Sequence, residues 1–470
     1  MPELSPRRRL LVLAICCMSL LIVSLDNTIL NVALPSLRRD LHASVSGLQW
    51  TIDAYTLVLA SLLMLAGSTA DRIGRRRVFQ TGLALFTIAS VLCSIAPSLQ
   101  WLIVFRMLQA IGGSMLNPVA MSIITNTFTE RRERARAIGV WGGVVGISMA
   151  AGPIIGGALV EYASWRAIFW INVPIGLAAL LLTARYVPES RAPKARRVDP
   201  VGQLLVIVLL GTLTYAIIEA PNAGWTSPLI LGCVGVAVAA LVSLIGYERR
   251  RVEPLIELRF FRSAPFSGAT VIAVSAFAAL AGFLFLNTLY LQDTRGLSAL
   301  DAGLHLLPMA VMALVFAPLS GRMVGNRGPR LPLVLAGVAT TASGLLLTTL
   351  NAHTSDLRLY AAYVLFGIGF GFVNAPITNT AVSGMPRDQA GVAAAVASTS
   401  RQVGQSLGVA VVGALVAASL NIAAWAVIAG CGAAVLLLGL LTTGRWAAGT
   451  ADRTAERLRE PTPKSVVGAR

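Results

Sequence analysis

The sequence predicts an all-α polytopic membrane protein, and three observations lead to this fold class. Of the 470 residues, 56% are hydrophobic and only 13% are charged, a balance not expected of a soluble domain of this size. Apolar runs of roughly 20 residues, the length that crosses a bilayer as a helix, recur along the whole chain. The runs lack the alternation of strands, and lipid cannot satisfy backbone polar groups, so helices are expected throughout.

The apolar runs define fourteen predicted transmembrane helices. Their limits are roughly 10–34, 47–69, 78–96, 101–125, 136–160, 166–186, 200–220, 227–247, 265–291, 302–324, 331–350, 358–383, 390–420 and 421–444. The thirteenth run is long, and Asn421 is a poor separator between it and the fourteenth.

Basic residues indicate the orientation of these helices. A net charge of +17 would suggest nucleic-acid binding in a soluble protein, but here the arginines concentrate in every second loop, for example at 72–77, 131–136 and 249–251. This distribution is typical of cytoplasmic loops. We therefore predict a multi-pass protein of the cytoplasmic membrane, with both termini in the cytoplasm and no nucleic-acid partner.

A weak internal repeat divides the predicted helices. The segment from Gly67 to Gly74 after the second span resembles that from Gly321 to Gly328 after the tenth, with the same spacing between the two glycines. We predict two six-helix bundles, residues 1–190 and 263–446, with two inserted helices in 191–262 and a polar cytoplasmic tail at 447–470. Parallel repeats are typical of transporters, although chance similarity of glycine-rich helices is the alternative.

Three charged residues of the first bundle lie inside predicted spans. Asp26, Asp53 and Arg106 all lie about 8 to 12 Å below the external surface, judged from the helical rise. A carboxylate within the membrane is costly and usually functional, and a nearby arginine favours its charged form whereas burial favours the neutral one. We predict that Asp26 is the main proton carrier, that Asp53 shares or modulates the proton, and that Arg106 sets their proton affinity. The alternatives are a structural Asp26–Arg106 ion pair and a helix-start role for Asp53.

The second bundle carries one charge at bilayer depth. Arg401 lies about 16 Å along the thirteenth span if that span begins near Ala390. No acid in this half lies at the same depth, so its partner is a backbone carbonyl, an acid across the cavity or the substrate. We expect Arg401 to line the substrate cavity. Alternatively, the span begins later and the side chain reaches the cytoplasmic surface. The other predicted cavity residues are polar or aromatic residues within spans: Asn31, Gln109, Asn117, Trp141, Asn374 and Gln405.

Neither a metal site nor a nucleotide site is indicated. The three histidines fall at external span ends without ligand spacing, and the string Gly367-x-Gly369-x-Gly371 lies inside an apolar helix and not after a strand. We therefore expect no cofactor. The coupling ion is expected to be the proton, because Asp26 is the predicted proton carrier. An enzyme or receptor would need a polar catalytic cluster or a soluble sensing domain, so we predict that the protein is not an enzyme. The predicted partners are a small-molecule substrate and membrane lipid, and the protein is expected to be monomeric.

Five motifs carry a resemblance to a known family. They are Leu25-Asp26-x-Thr28-Ile29-x-Asn31-Val32-Ala33-Leu34-Pro35, Gly67-x-x-Ala70-Asp71-Arg72-x-Gly74-Arg75-Arg76, Arg106-x-x-Gln109-x-x-Gly112, Gly152-Pro153-x-x-Gly156-Gly157 and Trp165-Arg166-x-x-Phe169-x-Ile171-Asn172-Val173-Pro174. Together they resemble the major facilitator superfamily, specifically its fourteen-span drug:proton antiporter branch. The match runs from Leu25 to about Gly408, and it departs from the usual pattern at Thr69 and Ser148.

The resemblance implies a transport mechanism. It implies that the loop motif forms a latch between the halves through Gly67, Asp71, Arg72, Gly74 and Arg75, although the arginines also fix topology. The Gly-Pro motif resembles that of antiporters, which implies export; packing explains its glycines about as well as a hinge does. The predicted function is proton-coupled efflux of hydrophobic or amphipathic drugs by alternating access. The alternative is a dedicated exporter of one endogenous metabolite, such as an antibiotic or siderophore.

Overall fold

The computed structural model describes residues 5–192, 199–251, 254–383, 385 and 389–459. Within these ranges the regular secondary structure is helical and no strand is present, as the predicted fold class requires. The α-helices are α1 (Pro6–Asp40), α2 (Val45–Ile73), α3 (Arg75–Ser94), α4 (Leu99–Thr127), α5 (Arg131–Tyr162), α6 (Ala167–Trp170), α7 (Asn172–Tyr186), α8 (Pro200–Ala223), α9 (Pro228–Glu248), α10 (Ala264–Leu289), α11 (Ala299–His305), α12 (Leu307–Arg327), α13 (Arg330–Leu347), α14 (Asp356–Val382), α15 (Ala390–Ala417), α16 (Asn421–Thr442) and α17 (Arg445–Arg459). A 3-10 helix at Leu258–Arg262 precedes α10, and a π-helical turn at Tyr290–Thr294 follows it.

In the described part of the chain, 13 helical segments are long and apolar enough to cross a membrane. Of the predicted spans, only the thirteenth does not meet this criterion. It corresponds to α15, which has 28 residues and is therefore about 42 Å long, but which carries Arg401, Gln402 and Gln405 near its middle. The multi-pass helical architecture is confirmed, whereas the number of fourteen spans is not.

Prolines and small polar residues begin several helices. Pro6, Pro200 and Pro228 occupy the first turns of α1, α8 and α9, where a missing backbone N–H costs nothing. Ser44 precedes α2, and its Oγ accepts a hydrogen bond from the backbone N–H of Gly47 at 3.1 Å. These local signals explain why the helix starts lie close to the predicted span limits.

The chain folds as two compact units, of which the first comprises Met1–Val198 and Asn287–Leu307. The core of this unit is formed mainly by aliphatic and aromatic residues of α1 to α4, including Ile15, Phe79, Phe86, Leu116 and Ile124. The segment that contains α11 belongs to this unit, although the sequence repeat relates it to the second bundle. The packing of α11 against α5 accounts for this grouping.

The second unit comprises Asp199–Leu286 and Pro308–Arg470, and so includes the two inserted helices α8 and α9. In its interior, Phe283 of α10 stacks on Phe366 of α14 with ring centroids 4.0 Å apart. Helix α17 buries Ala447, Ala451 and Leu458 on one face. Residues 447–459, part of the predicted polar tail, thus form a helix with a buried face, whereas residues 460–470 lie outside the described residues.

Candidate functional site

A buried charged network lies in the first unit, where α1, α2, α3, α4 and α7 meet. Nη1 of Arg106 on α4 donates to Oδ2 of Asp26 on α1, and both side chains are at most 3% exposed. The same Nη1 donates to Oε1 of Gln109 at 2.7 Å, and Nε donates to the backbone carbonyl of Thr51 on α2 at 3.2 Å. A planar guanidinium can satisfy three acceptors at once, in a fixed geometry that the compact ammonium group of a lysine does not provide.

Two amide side chains supply further donors to Asp26. Nε2 of Gln109 donates to Oδ1 of Asp26 at 2.9 Å and also to Oγ of Ser90 on α3 at 2.9 Å. Nδ2 of Asn172, the first residue of α7, donates to the same Oδ1 at 3.1 Å. Both carboxylate oxygens therefore have donors, as a buried carboxylate requires. The ion pair is one part of a network that joins α1 to α4 and α7, and α4 to α2 and α3.

Aromatic rings enclose the guanidinium of Arg106. Its Cζ lies 4.2 Å from the ring centroid of Tyr55 and 6.0 Å from that of Phe169. Both rings are buried. A cation over an aromatic face is stabilised by the ring quadrupole, more so when water is excluded.

Asp53 is fully buried on α2, two residues after Thr51. Oγ1 of Thr56, one turn further along the helix, donates to Oδ1 of Asp53 at 3.5 Å. The structure thus brings Asp26 and Arg106 into contact and places Asp53 on the helix whose backbone also binds Arg106. The assigned proton-transfer roles of the three residues remain predictions.

The loop motif between α2 and α3 forms an internal ion pair. Nε and Nη2 of Arg75 both donate to Oδ1 of Asp71, at 3.0 and 2.7 Å. The backbone of the loop is also held, since the N–H of Arg75 donates to the carbonyl of Ser190 at 2.9 Å. Arg72 is exposed, and Gly67 lies beside Pro118 of α4. The predicted latch role of this motif remains a prediction.

Glu189, which follows α7, holds the turn of the loop motif. Its Oε1 accepts the backbone N–H of Arg76 at 3.1 Å, and its Oε2 lies 3.7 Å from Nε of Arg77. Gly74 has φ +124°, and a Cβ there would lie 2.6 Å from the Glu189 carboxylate. Glycine is therefore required at position 74 both by the backbone conformation and by the approach of Glu189.

The Gly-Pro motif of α5 provides close contacts within the first unit. A Cβ at Gly152 would overlap the hydroxyl of Thr28 on α1, and one at Gly156 would lie 3.2 Å from Ile29. Gly157 meets the backbone of Ala299 at the start of α11, and the carbonyl of Pro153 faces Gly303 on the same helix. The four motif positions thus let α5 pack tightly on two helices, as small residues do in membranes.

The remaining predicted cavity residues lie at separate positions. In the first unit, Nδ2 of Asn31 donates to the carbonyl of Asn27 at 3.0 Å, whereas Oδ1 of Asn117 and Nε1 of Trp141 are buried without a hydrogen-bond partner among the described residues. Gln109 lies inside the charged network described above. In the second unit, Asn374, Arg401 and Gln405 are partly buried on α14 and α15. Their role in a cavity remains a prediction.

Some residues of the charged network and of the loop motif's surroundings were not predicted as site residues. Tyr55 and Ser90 of the network, and Glu189 beside the loop motif, give no sequence signal that distinguishes them from other residues of the same type. Asn172 could have been found, because it is an amide in the Trp165 to Pro174 motif at the start of an apolar helix. Such positions are costly in lipid unless the amide finds a partner, and here that partner is Asp26.

Comparison with known proteins decides the family. Residues 16–409 match the family described as Major Facilitator Superfamily. This chain belongs to the major facilitator superfamily. The superfamily prediction is therefore confirmed, whereas its fourteen-span antiporter branch is not. Membership also identifies the chain as a member of a transporter family and not of an enzyme family.

Three curated relatives cover most of the chain. "Multidrug resistance protein Stp" of Mycobacterium tuberculosis is 37% identical over 88% of this chain and 77% of its own length. "Tetracenomycin C resistance and export protein" of Streptomyces glaucescens is 40% identical over 84% and 74%. "Methylenomycin A resistance protein" of Bacillus subtilis is 35% identical over 91% of both chains.

A solved structure has a similar fold. It is a bacterial homologue of the human lysosomal transporter Spinster, in an inward-facing and unoccupied conformation, with a TM-score of 0.62. The match covers 98% of this chain and 100% of that chain at 18% sequence identity. At this level of sequence identity the likeness concerns the fold alone, and it supports the helical fold of this chain.

Proposed function

We propose that this protein is a proton-coupled efflux transporter that exports hydrophobic or amphipathic drugs across the cytoplasmic membrane by alternating access. The observation that carries the proposal is the Asp26–Arg106 ion pair, buried among Gln109, Asn172 and Tyr55 in a chain of a transporter family. The three relatives described above are named for drug or antibiotic resistance, which supports efflux as the direction of transport.

The network suggests how a proton changes the protein. A proton on Asp26 removes the negative charge that holds Arg106 and turns one carboxylate oxygen into a donor. Arg106 then keeps Gln109 and the Thr51 carbonyl but loses its only opposite charge among these contacts. Because α1 is joined to α4 and α7 through this carboxylate, protonation favours a different packing of α1. Moving one charge inward through 100 mV releases about 2.3 kcal/mol toward that cycle.

The topology follows from the same proposal. We assign α15 as the remaining span, giving fourteen, with both termini in the cytoplasm. Its polar residues are tolerated in a transporter because polar groups within the membrane line water-filled paths. We further propose that the protein acts as a monomer, with protons as its only coupling ion and no cofactor.

Uptake into everted membrane vesicles tests the function. We expect cationic, anionic and neutral amphipathic probes to be accumulated only while a proton gradient is maintained. Asp26→Asn should abolish gradient-driven accumulation, because an amide cannot exchange the proton. The matched control is Asp40→Asn on the same helix, whose carboxylate accepts the indole N–H of Trp165 at 2.8 Å near the helix end.

Two results would contradict the proposal. Accumulation that persists after the gradient is collapsed excludes proton coupling. Export by Asp26→Asn at the rate of Asp40→Asn excludes Asp26 as the essential proton carrier.

A dedicated exporter of one metabolite is the second candidate. Two of the relatives are named for a single antibiotic, tetracenomycin C or methylenomycin A. Competition assays separate the two candidates: a multidrug transporter is inhibited by chemically unrelated probes, whereas a dedicated one responds only to close analogues of its substrate.

A further inference from the structure

The second unit contains an arginine with an incomplete set of partners. Arg401 lies in α15, eleven residues after the first helical residue, Ala390. Its Nη2 donates to Oγ1 of Thr378 on α14 at 2.6 Å, and its Cζ lies 5.8 Å from the ring centroid of Phe277 on α10. Its Nε is buried and has no hydrogen-bond partner among the described residues. The hydrogen-bonding capacity of this guanidinium is therefore not fully used by the described residues.

In the described part of the chain, no carboxylate pairs with Arg401. The ion pairs within 4.0 Å there involve other arginines, and none includes Arg401. Arg106, the other arginine deep in a span, has a carboxylate, an amide, a carbonyl and an aromatic ring around it. The charge of Arg106 is thus compensated within the protein, whereas an uncompensated charge within the membrane is costly.

The surroundings of Arg401 combine apolar rings with polar groups. Phe277 packs edge-on against Phe370 with ring centroids 5.4 Å apart, so two largely buried aromatic rings lie on this side of the guanidinium. The side chain of Thr378 is exposed, and Arg401 itself is partly exposed. On α15, Oε1 of Gln402 and Oγ of Ser406 are buried, and neither has a hydrogen-bond partner within the described ranges.

This arrangement selects a ligand class by its chemistry. A guanidinium presents paired N–H donors that match the two oxygens of a carboxylate, and an aromatic face beside it suits an apolar or aromatic body. We propose that Arg401, with Thr378 and Phe277, binds the acidic group of the substrate, so that the transported compounds include amphipathic organic carboxylates. The inference rests on the proposed efflux function and adds a substrate class to it.

A pair of probes that differ only in charge tests the inference. Everted vesicles that contain the full-length protein are given a fluorescent aromatic carboxylic acid and, separately, its methyl ester, with transporter-free vesicles as the blank for passive accumulation. We expect Arg401→Gln to lower the ratio of acid to ester transport by at least about tenfold, as loss of a charged hydrogen bond predicts. Arg401→Lys should restore part of the ratio, because lysine keeps the positive charge but lacks the planar pair of N–H donors of the guanidinium.

The chain offers a matched control on α14. Nη2 of Arg358 also donates to a threonine hydroxyl, that of Thr349, but Arg358 is exposed at the other end of the helix from Thr378. Arg358→Gln should leave the ratio unchanged. Because the ratio is measured in one preparation, it does not depend on the amount of folded protein.

The outcomes separate the inference from the proposed function. If the wild type accumulates the ester but not the acid, or if Arg401→Gln leaves the ratio as it is, the inference is overturned while efflux stands. If Arg401→Gln lowers both probes equally, Arg401 has a structural role and the inference is also overturned. A wild type that moves no probe of any charge contradicts the proposed efflux function itself.

Discussion

At the residue scale, the two arginines within spans show how environment assigns different roles to one side chain. Arg106 is surrounded by the carboxylate of Asp26, the amide of Gln109 and the ring of Tyr55, all of them buried. Arg401 has one threonine hydroxyl and one aromatic ring. The first arrangement is consistent with the role we propose for Asp26, the counter-ion of Arg106, as a proton carrier. The second is consistent with the anionic ligand that we propose for Arg401.

The Asp26–Arg106 pair gives a prediction about stability. Arg106→Gln leaves a buried carboxylate without its counter-charge, and we expect it to destabilise the first unit by about 3 to 5 kcal/mol. Adding Asp26→Asn removes the unpaired charge, so the double variant should recover part of that loss. The midpoint of thermal unfolding of the purified protein measures both effects.

The control is Arg39→Gln, an exposed arginine on α1 that bonds to Ser36 at 3.2 Å. It should change the free energy of unfolding by no more than about 0.5 kcal/mol. A double variant as unstable as the sum of its single variants would mean that the pair contributes no coupling to the folded state.

At the element scale, α5 contains two kinds of glycine. Gly152, Gly156 and Gly157 face neighbouring backbones or side chains so closely that a Cβ would overlap or compress them. Gly142 and Gly143, almost three turns before Gly152 on the same helix, face open space, and a Cβ added at either position would have no neighbouring atom within 4 Å. Only the first set shapes how α5 packs against α1 and α11.

The contrast between these glycines gives a matched pair of variants. Gly152→Ala places a methyl group against Thr28, whose hydroxyl also donates to the carbonyl of Ser148 on α5 at 3.3 Å. We expect a loss of about 1 to 3 kcal/mol in the free energy of unfolding, as overpacking predicts. Gly142→Ala should instead be neutral or stabilising by up to about 1 kcal/mol, because alanine favours the helix.

Thermal unfolding and vesicle transport check both variants. Equal effects of Gly152→Ala and Gly142→Ala would show that helix flexibility, and not close packing against α1, is what the motif provides.

At the scale of the whole molecule, α15 decides the topology. With α15 in the membrane the chain crosses fourteen times, and without it the loops before and after α15 lie on the same side. Its hydropathy is low because Arg401, Gln402 and Gln405 interrupt an otherwise apolar helix. A helix of this length still spans a bilayer core of about 30 Å.

Cysteine labelling tests this topology. Ser383 and Ser419 are exposed on either side of α15 and can each be replaced by cysteine in a variant without the five native cysteines. We expect Ser419→Cys to react with an impermeant maleimide in intact cells and Ser383→Cys to react only after the membrane is opened. Reaction of both positions from the same side would contradict fourteen spans.

The sequence by itself determined the helical membrane architecture and the superfamily. It also singled out Asp26 and Arg106 as charges within spans, and Gly152 as part of the Gly-Pro motif. These are local properties: hydropathy depends on a run of neighbouring residues, and a charge within such a run is visible without any neighbour in space. The start of α15 at Ala390 was also predicted from neighbouring residues alone, and the structure agrees with the predicted position.

Only the tertiary structure decided which side chains surround these residues. Asn172, Ser90 and Tyr55 come from three different helices and meet Asp26, Gln109 and Arg106 through packing. Helices in lipid are apolar on most faces, so their sequence periodicity does not show which face meets which neighbour. That choice depends on the close fit of surfaces far apart in the chain, and it is what places three donor side chains, from two different helices, around one buried carboxylate.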